Sequence, residues 1–236
     1  MALALEGTPV HNNATSGSSL TTGAFTTTQA AEIFISVTIN GTSVSSISGG
    51  SLTWSLRKRQ SDPTTVNFIE EWAAQASGAL SSVQFTLTLG GSTSFITTDV
   101  YAFSGQDTST IWDGDAGIPY SAQSDPITFS TSNANDSVIA SYRMGSTASP
   151  TQGNIGGSAA TKISGADFQL TEYRIVSTTQ SSQTATIGTG AGNANAGIVD
   201  AIMQASGGGG GSTSAGVLKV PGNIHGDLGL LGGYMQ

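Results

Sequence analysis

Apolar residues recur at every second position through much of this chain. Val83, Phe85, Leu87 and Leu89 alternate with Gln84, Thr86 and Thr88. A period of two means an extended strand with one face on a core and the other in water. Ile33, Ile35, Val37 and Ile39 repeat the pattern within residues 32–40. Leu52, Trp54 and Leu56 repeat it against Thr53, Ser55 and Arg57. Residues 95–103 are rich in β-branched and aromatic side chains and predict a further strand. Gly90-Gly91-Ser92 lies between two of these strands and predicts a hairpin turn. Asn40-Gly41 is a second hairpin signal. Ser61-Asp62-Pro63 and Ser104-Gly105-Gln106-Asp107 have the composition of tight turns.

Weaker strands are expected over residues 44–47, 127–130, 137–143, 166–176 and 184–187. Residues 198–205 read as a last strand or a short helix. Residues 67–76, NFIEEWAAQA, fit a short helix on propensity alone. Long loops are expected over 111–125 and 145–165. Short strands spaced by Gly and Pro turns predict an all-β, antiparallel β-sandwich, jelly-roll-like, with extended N- and C-terminal arms. No long amphipathic helix separates the strands, which excludes a parallel α/β sheet. The expected organisation is an N-terminal arm or irregular first strand at 1–28 and a sandwich domain at 29–206. A Gly/Ser-rich linker follows at 207–216, and an apolar tail at 217–236. Trp54, Phe85, Leu87, Phe103, Phe168 and Leu170 are the expected core.

Composition narrows the classes. The 236 residues suffice for one sandwich without staples. Cysteine is absent, so disulfides, thiolate metal sites and Cys nucleophiles are excluded. Only 9% of residues are charged, against about 25% in an average domain. Ser, Thr, Asn, Gln and Gly must therefore coat the surface. A neutral hydroxyl coat is cheaper to desolvate against a neighbour than an ionic one, which suits assemblies. The net charge of −8 and only seven basic residues disfavour nucleic acid. Arg57-Lys58-Arg59 reads as a solvated strand end that guards a sheet edge. No apolar run is long enough for a membrane span. Met1-Ala2-Leu3-Ala4-Leu5 lacks a basic n-region and is cut short by Glu6, so no signal peptide is expected.

Catalytic constellations are scarce. His11 and His225 lie near opposite ends, without partners at metal-ligand spacing. No G-x-S-x-G elbow occurs. Gly188-Thr189-Gly190-Ala191-Gly192 lacks the lysine of a phosphate loop. Glu70 and Glu71 are adjacent, so on a strand they face opposite sides and cannot flank one glycosidic bond. Glu172 with Asp99 or Asp167 is a carboxylate pair that only folding can bring together. Asp113 and Asp115, around Gly114, are the candidate calcium ligands, against the plainer reading of an acidic turn. Trp112 and Tyr120 are candidates for a sugar-stacking platform, against simple packing at a sandwich end. Leu228, Leu230, Leu231, Tyr234 and Met235 follow five consecutive glycines. They are the candidate assembly contacts, with fold-back on their own domain as the alternative. No cofactor is implied.

Trp72-Ala73-Ala74-Gln75-Ala76, the alternating strand after it, and Ala102-Phe103-Ser104-Gly105-Gln106-Asp107-Thr108-Ser109-Thr110 together resemble a β-sandwich family of virion proteins. That family occurs in tailed bacteriophages and prophage-like bacterial genes. The likeness continues at Asn135-Asp136-Ser137-Val138-Ile139, at Asp167-Phe168-Gln169-Leu170-Thr171-Glu172-Tyr173 and at Thr184-Ala185-Thr186-Ile187-Gly188-Thr189-Gly190, covering roughly residues 20–205. It implies that NFIEEWAAQA is a strand. Where that family often has Pro after the S-G-x-D turn, this chain has Ile111-Trp112, so a different loop is expected there. The shared motifs are structural and carry no catalytic residue.

The resemblance, the composition and the linked apolar tail together imply a non-enzymatic structural protein of a virion assembled in the host cytoplasm. An outer capsid decoration or cement protein is the first expectation, as a homo-oligomer contacting the major capsid protein. The alternative is a tail appendage or receptor-binding module that recognises a surface glycan. A secreted bacterial lectin-like domain is a distant third.

Overall fold

A computed structural model describes residues 1–145, 149–189 and 194–205. The linker and tail, with Leu228, Leu230, Leu231, Tyr234 and Met235, lie outside the described residues. Among the described residues, seventeen strands form four antiparallel sheets. The described residues contain no helix.

The first half holds β1 (Ala4–Ala14), β2 (Gly17–Thr21), β3 (Ala31–Asn40), β4 (Val44–Ser48), β5 (Ser55–Ser61), β6 (Asn67–Ala76), β7 (Thr86–Thr93) and β8 (Ile96–Ser104). One sheet runs β1-β8-β3-β6-β5, and a smaller one, β2-β7-β4, covers it. Ile33, Ile35, Val37 and Ile39 of β3 meet Phe85, Leu87 and Leu89 across the core between them. The second half holds β9 (Tyr120–Ala122), β10 (Ile127–Phe129), β11 (Ser137–Met144), β12 (Asn154–Ile155), β13 (Ser158–Ala159), β14 (Thr161–Ala166), β15 (Gln169–Ile175), β16 (Gln183–Thr186) and β17 (Ala194–Ile202). Here β14-β15-β11-β17-β9 packs on β10-β16-β12-β13 around Phe129, Val138, Tyr142, Leu170 and Val199.

The two five-stranded sheets then pack back to back. Phe34, Ala73, Tyr101 and Phe103 of the first meet Ile139 and Ile202 of the second. Phe34 stacks on Tyr101 with centroids 5.3 Å apart. The single sandwich expected over 29–206 is therefore two sandwiches sharing a seam. Residues 1–28 resolve as β1, with a register shift between Glu6 and Val10, followed by β2. Leu3 is buried in the seam and Phe25 in the first core.

The hairpin expected at Gly90-Gly91 is absent. β7 runs through both glycines, and β7 and β8 belong to different sheets. Asn40-Gly41 likewise carries the chain from one sheet to the other. In both places the chain turns to cover a core, because two apolar strand faces bury more surface across a sandwich than side by side.

NFIEEWAAQA is β6, paired along its length with β3. Residues 194–202 settle as strand β17. Of the expected core, Phe85, Leu87 and Leu170 lie inside the sandwiches and Phe103 in the seam, whereas Trp54 and Phe168 are only half-buried.

The Ser104–Thr110 motif has a local physical cause. Gly105 has φ +81°, and a Cβ there would lie 2.1 Å from the Ala2 carbonyl oxygen. Only glycine fits that approach. Asp107 then accepts hydrogen bonds from the backbone N–H groups of Ser109 and Thr110. Beyond this turn the connecting segment bonds along the end of β17, through Asp107 N–H to the Met203 carbonyl and Asp113 N–H to the Ala201 carbonyl. The link between sandwiches is thus pinned rather than free.

Candidate functional site

The seam is where this chain concentrates its chemistry. Its five-stranded sheets put polar side chains at alternate positions on their back faces. Ser36 Oγ lies 3.0 Å from Tyr101 Oη and 2.7 Å from Ser141 Oγ. Ser141 donates to Glu71. Gln169 donates to the Ser36 carbonyl and to Asp99, and accepts from the Thr38 N–H. Arg57 reaches over from β5 and makes a two-pronged pair with Asp200 at 2.8 and 3.0 Å. Arg143 pairs in the reverse direction with Asp62. These bonds satisfy groups that would otherwise be buried at a cost of about 1–3 kcal/mol each.

Arg57-Lys58-Arg59 is therefore not the solvated cluster expected. Edge strand β5 does carry it, but Arg57 and Arg59 each pair with a fully buried carboxylate, Asp200 and Glu70. Glu70 and Glu71 do face opposite sides. Glu70 accepts from Trp72 Nε1 and Arg59 on the core side, and Glu71 lies in the seam. Burial and the Asp200 charge push the Glu71 carboxyl well above its ordinary range. Glu172 points away from Asp99 and Asp167, into the second core, where it accepts from the Gly153 N–H.

His11 gained partners that spacing concealed. Its Nδ1 is 2.6 Å from Asp99, which is fully buried, and its Nε2 is 3.2 Å from Asp167. It thereby ties β1 of one sandwich to the β14–β15 turn of the other. The Asp99 hydrogen bond and the two carboxylate charges raise its pKa against the opposing effect of burial. Among the described residues, no group of three His, Asp or Glu side chains is arranged to hold a metal.

Asp113 and Asp115, the calcium candidates, act on nearby donors. Asp113 accepts from the N–H groups of Asp115, Ser132 and Asn133. Asp115 accepts from the Gly117 N–H and from Tyr120 Oη. Behind Asp113 lies Asp136, which is fully buried. Burial and the neighbouring Asp113 push its carboxyl up to about 8. The Trp112–Tyr120 platform does not form. Tyr120 packs on the second core. Trp112 sits in the seam, with the Arg57 guanidinium 3.4 Å over its ring and Phe34 edge-on.

These shifts set a pH dependence. Burial raises Glu32 and Glu172 to about 7 each, and Asp136 rises to about 8. Unfolded carboxyls ionise near 4–4.5. For these groups and for His11 the folded state holds the proton more tightly. Their stabilisation is complete below the unfolded pKa and is lost as pH rises through the folded one. Glu6 has the opposite sign. Hydrogen bonds from Thr28 lower it, so its contribution disappears as pH falls below about 4.5. The melting temperature is therefore expected to be highest near pH 5 and to fall steadily to pH 9. Asp136→Asn and Glu32→Gln should flatten that fall. Thermal unfolding at pH 5, 7 and 9 checks this, and a flat or rising profile would refute it.

Comparison with protein-family models, with curated proteins and with solved structures finds no match to this chain.

Proposed function

We propose that this protein is a non-catalytic structural subunit of a tailed-phage virion, an outer capsid decoration or cement protein that contacts its own copies and the major capsid protein. The observation that carries this reading is the placement of charge. Glu32, Glu70, Glu71, Asp99, Asp136, Glu172 and Asp200 are all buried, and nearly every other described charged residue is at least half-buried. Among the described residues, the exterior is left mainly to Ser, Thr, Asn, Gln and Gly. Such a surface presses against neighbours with little ionic desolvation. The buried pairs meanwhile brace two sandwiches into one body. Glu70, Asp99 and Asp200 are committed to structural partners, which supports a role without turnover. The Trp-Ala-Ala and Phe-Ser-Gly-x-Asp resemblance supplies the virion setting.

Gel densitometry of purified virions tests the proposal. Hundreds of copies per particle are expected. A few to tens of copies would replace it with the tail-appendage reading, and absence from the particle would sink both. Deleting residues 212–236 is expected to leave the melting temperature unchanged and to abolish attachment to the particle. A large fall in stability with attachment intact would remove the tail as the assembly contact.

A further inference from the structure

We propose that the recess between Glu32, Gln75 and Trp112 binds one neutral pyranose, as a free monosaccharide or as the terminal residue of a glycan. This goes beyond the structural role and holds whether the protein sits on a capsid or a tail.

The recess has a volume of about 350 Å³ and opens where edge strand β5 leaves the seam. Six of its lining residues matter: Glu32, Ser55, Leu56, Arg57, Gln75 and Trp112. Glu32 is only 2% exposed, yet its Oε2 has no hydrogen-bond partner. A buried carboxyl oxygen left unpaired is costly and calls for a donor. Its cross-strand neighbour is Gln75, opposite it on β6, whose amide is exposed and offers both donor and acceptor. Arg57 uses Nε and Nη2 on Asp200. Its Nη1 donors have no partner among the described residues. Leu56, 39% exposed, supplies an apolar wall, and Trp112, under the Arg57 guanidinium, closes the recess.

This set selects its ligand by exclusion. The carboxyl disfavours an anion and the guanidinium disfavours a cation. Donors and acceptors close together favour groups that both give and take a hydrogen bond, which hydroxyls do. An apolar wall beside them suits the C–H face of a sugar ring. The volume lies at the small end for ligand sites, so one ring fits rather than a chain.

The test is saturation-transfer NMR on the full chain with the methyl glycosides of glucose, galactose, mannose and N-acetylglucosamine. At least one should show saturable binding in the millimolar range. Gln75→Ala and Leu56→Asp, both at the rim, should weaken it about tenfold or more with the melting temperature held. Glu32→Gln should also weaken it. No saturable transfer from any of the four, or equal binding by all the variants, would overturn the proposal. So would binding confined to sialic acid or to glucosamine, because the site would then select charge. Virion copy number does not depend on any of these outcomes, so the structural reading fails or stands separately.

Discussion

Replacing Phe85 with alanine should destabilise the protein by about 3–5 kcal/mol. The ring is fully buried between the first five-stranded sheet and its three-stranded cover. Trp54 meets it edge-on, with centroids 5.1 Å apart. The backbone of Gly49 lies against it from another side, since a Cβ at Gly49 would come within 3.2 Å of the ring. The strand itself is anchored there, because the Phe85 N–H donates to Thr22 Oγ1. Strands held on both sides cannot collapse into the space, so the cavity persists and adds to the lost transfer energy. Denaturant unfolding should show a lower midpoint with an unchanged slope. A loss below about 1 kcal/mol would mean that the ring does not lie between the sheets.

Arg57→Ala should cost a similar amount, about 3–5 kcal/mol, for a different reason. Asp200 is fully buried and faces Glu71 across the seam. Without the guanidinium, one carboxylate is left uncompensated in the interior, beside another that already resists ionisation. The indole of Trp112 also loses its cover. The double variant Arg57→Met with Asp200→Leu should recover much of the loss, since removing both charges removes the desolvation cost with them. The pair is then measured as the coupling energy of the cycle. A single-variant loss under about 1 kcal/mol would place the pair in the class of solvated surface bridges.

Both effects bear on the proposed role. A subunit that presents a neutral exterior to its neighbours must keep its charges somewhere, and here they cross-link two sandwiches. Those charges make the body rigid and tie its stability to pH. Among the carboxyl oxygens left without a partner is Glu32 Oε2, which lines the recess beside Trp112.

The residue pattern by itself determined several of the strands and the face that β3 and β7 turn to the first core, but not β1 or the strands within residues 145–165. Ile33, Ile35, Val37 and Ile39 share the face that their alternation predicts. Residues 67–76 form a strand against helical propensity, because β6 is held between β3 and β5 and burial outweighs a weak local preference. The tertiary structure decided which strands pair. Gly90-Gly91 looked like a hairpin turn because a turn signal reports a change of direction and not the destination. It also decided where the polar half of each strand goes. Glu32, Ser36 and Thr38 alternate with the isoleucines as a solvent face would, yet all three are buried. Alternation records polarity, and polarity matches exposure only when no partner arrives. Here the partners are Ser141 and Gln169, 105 and 133 positions from Ser36. His11 and Asp167, 156 positions apart, meet for the same reason. No local pattern encodes such contacts, because these partners belong to the other sandwich, whose approach depends on the whole chain having folded.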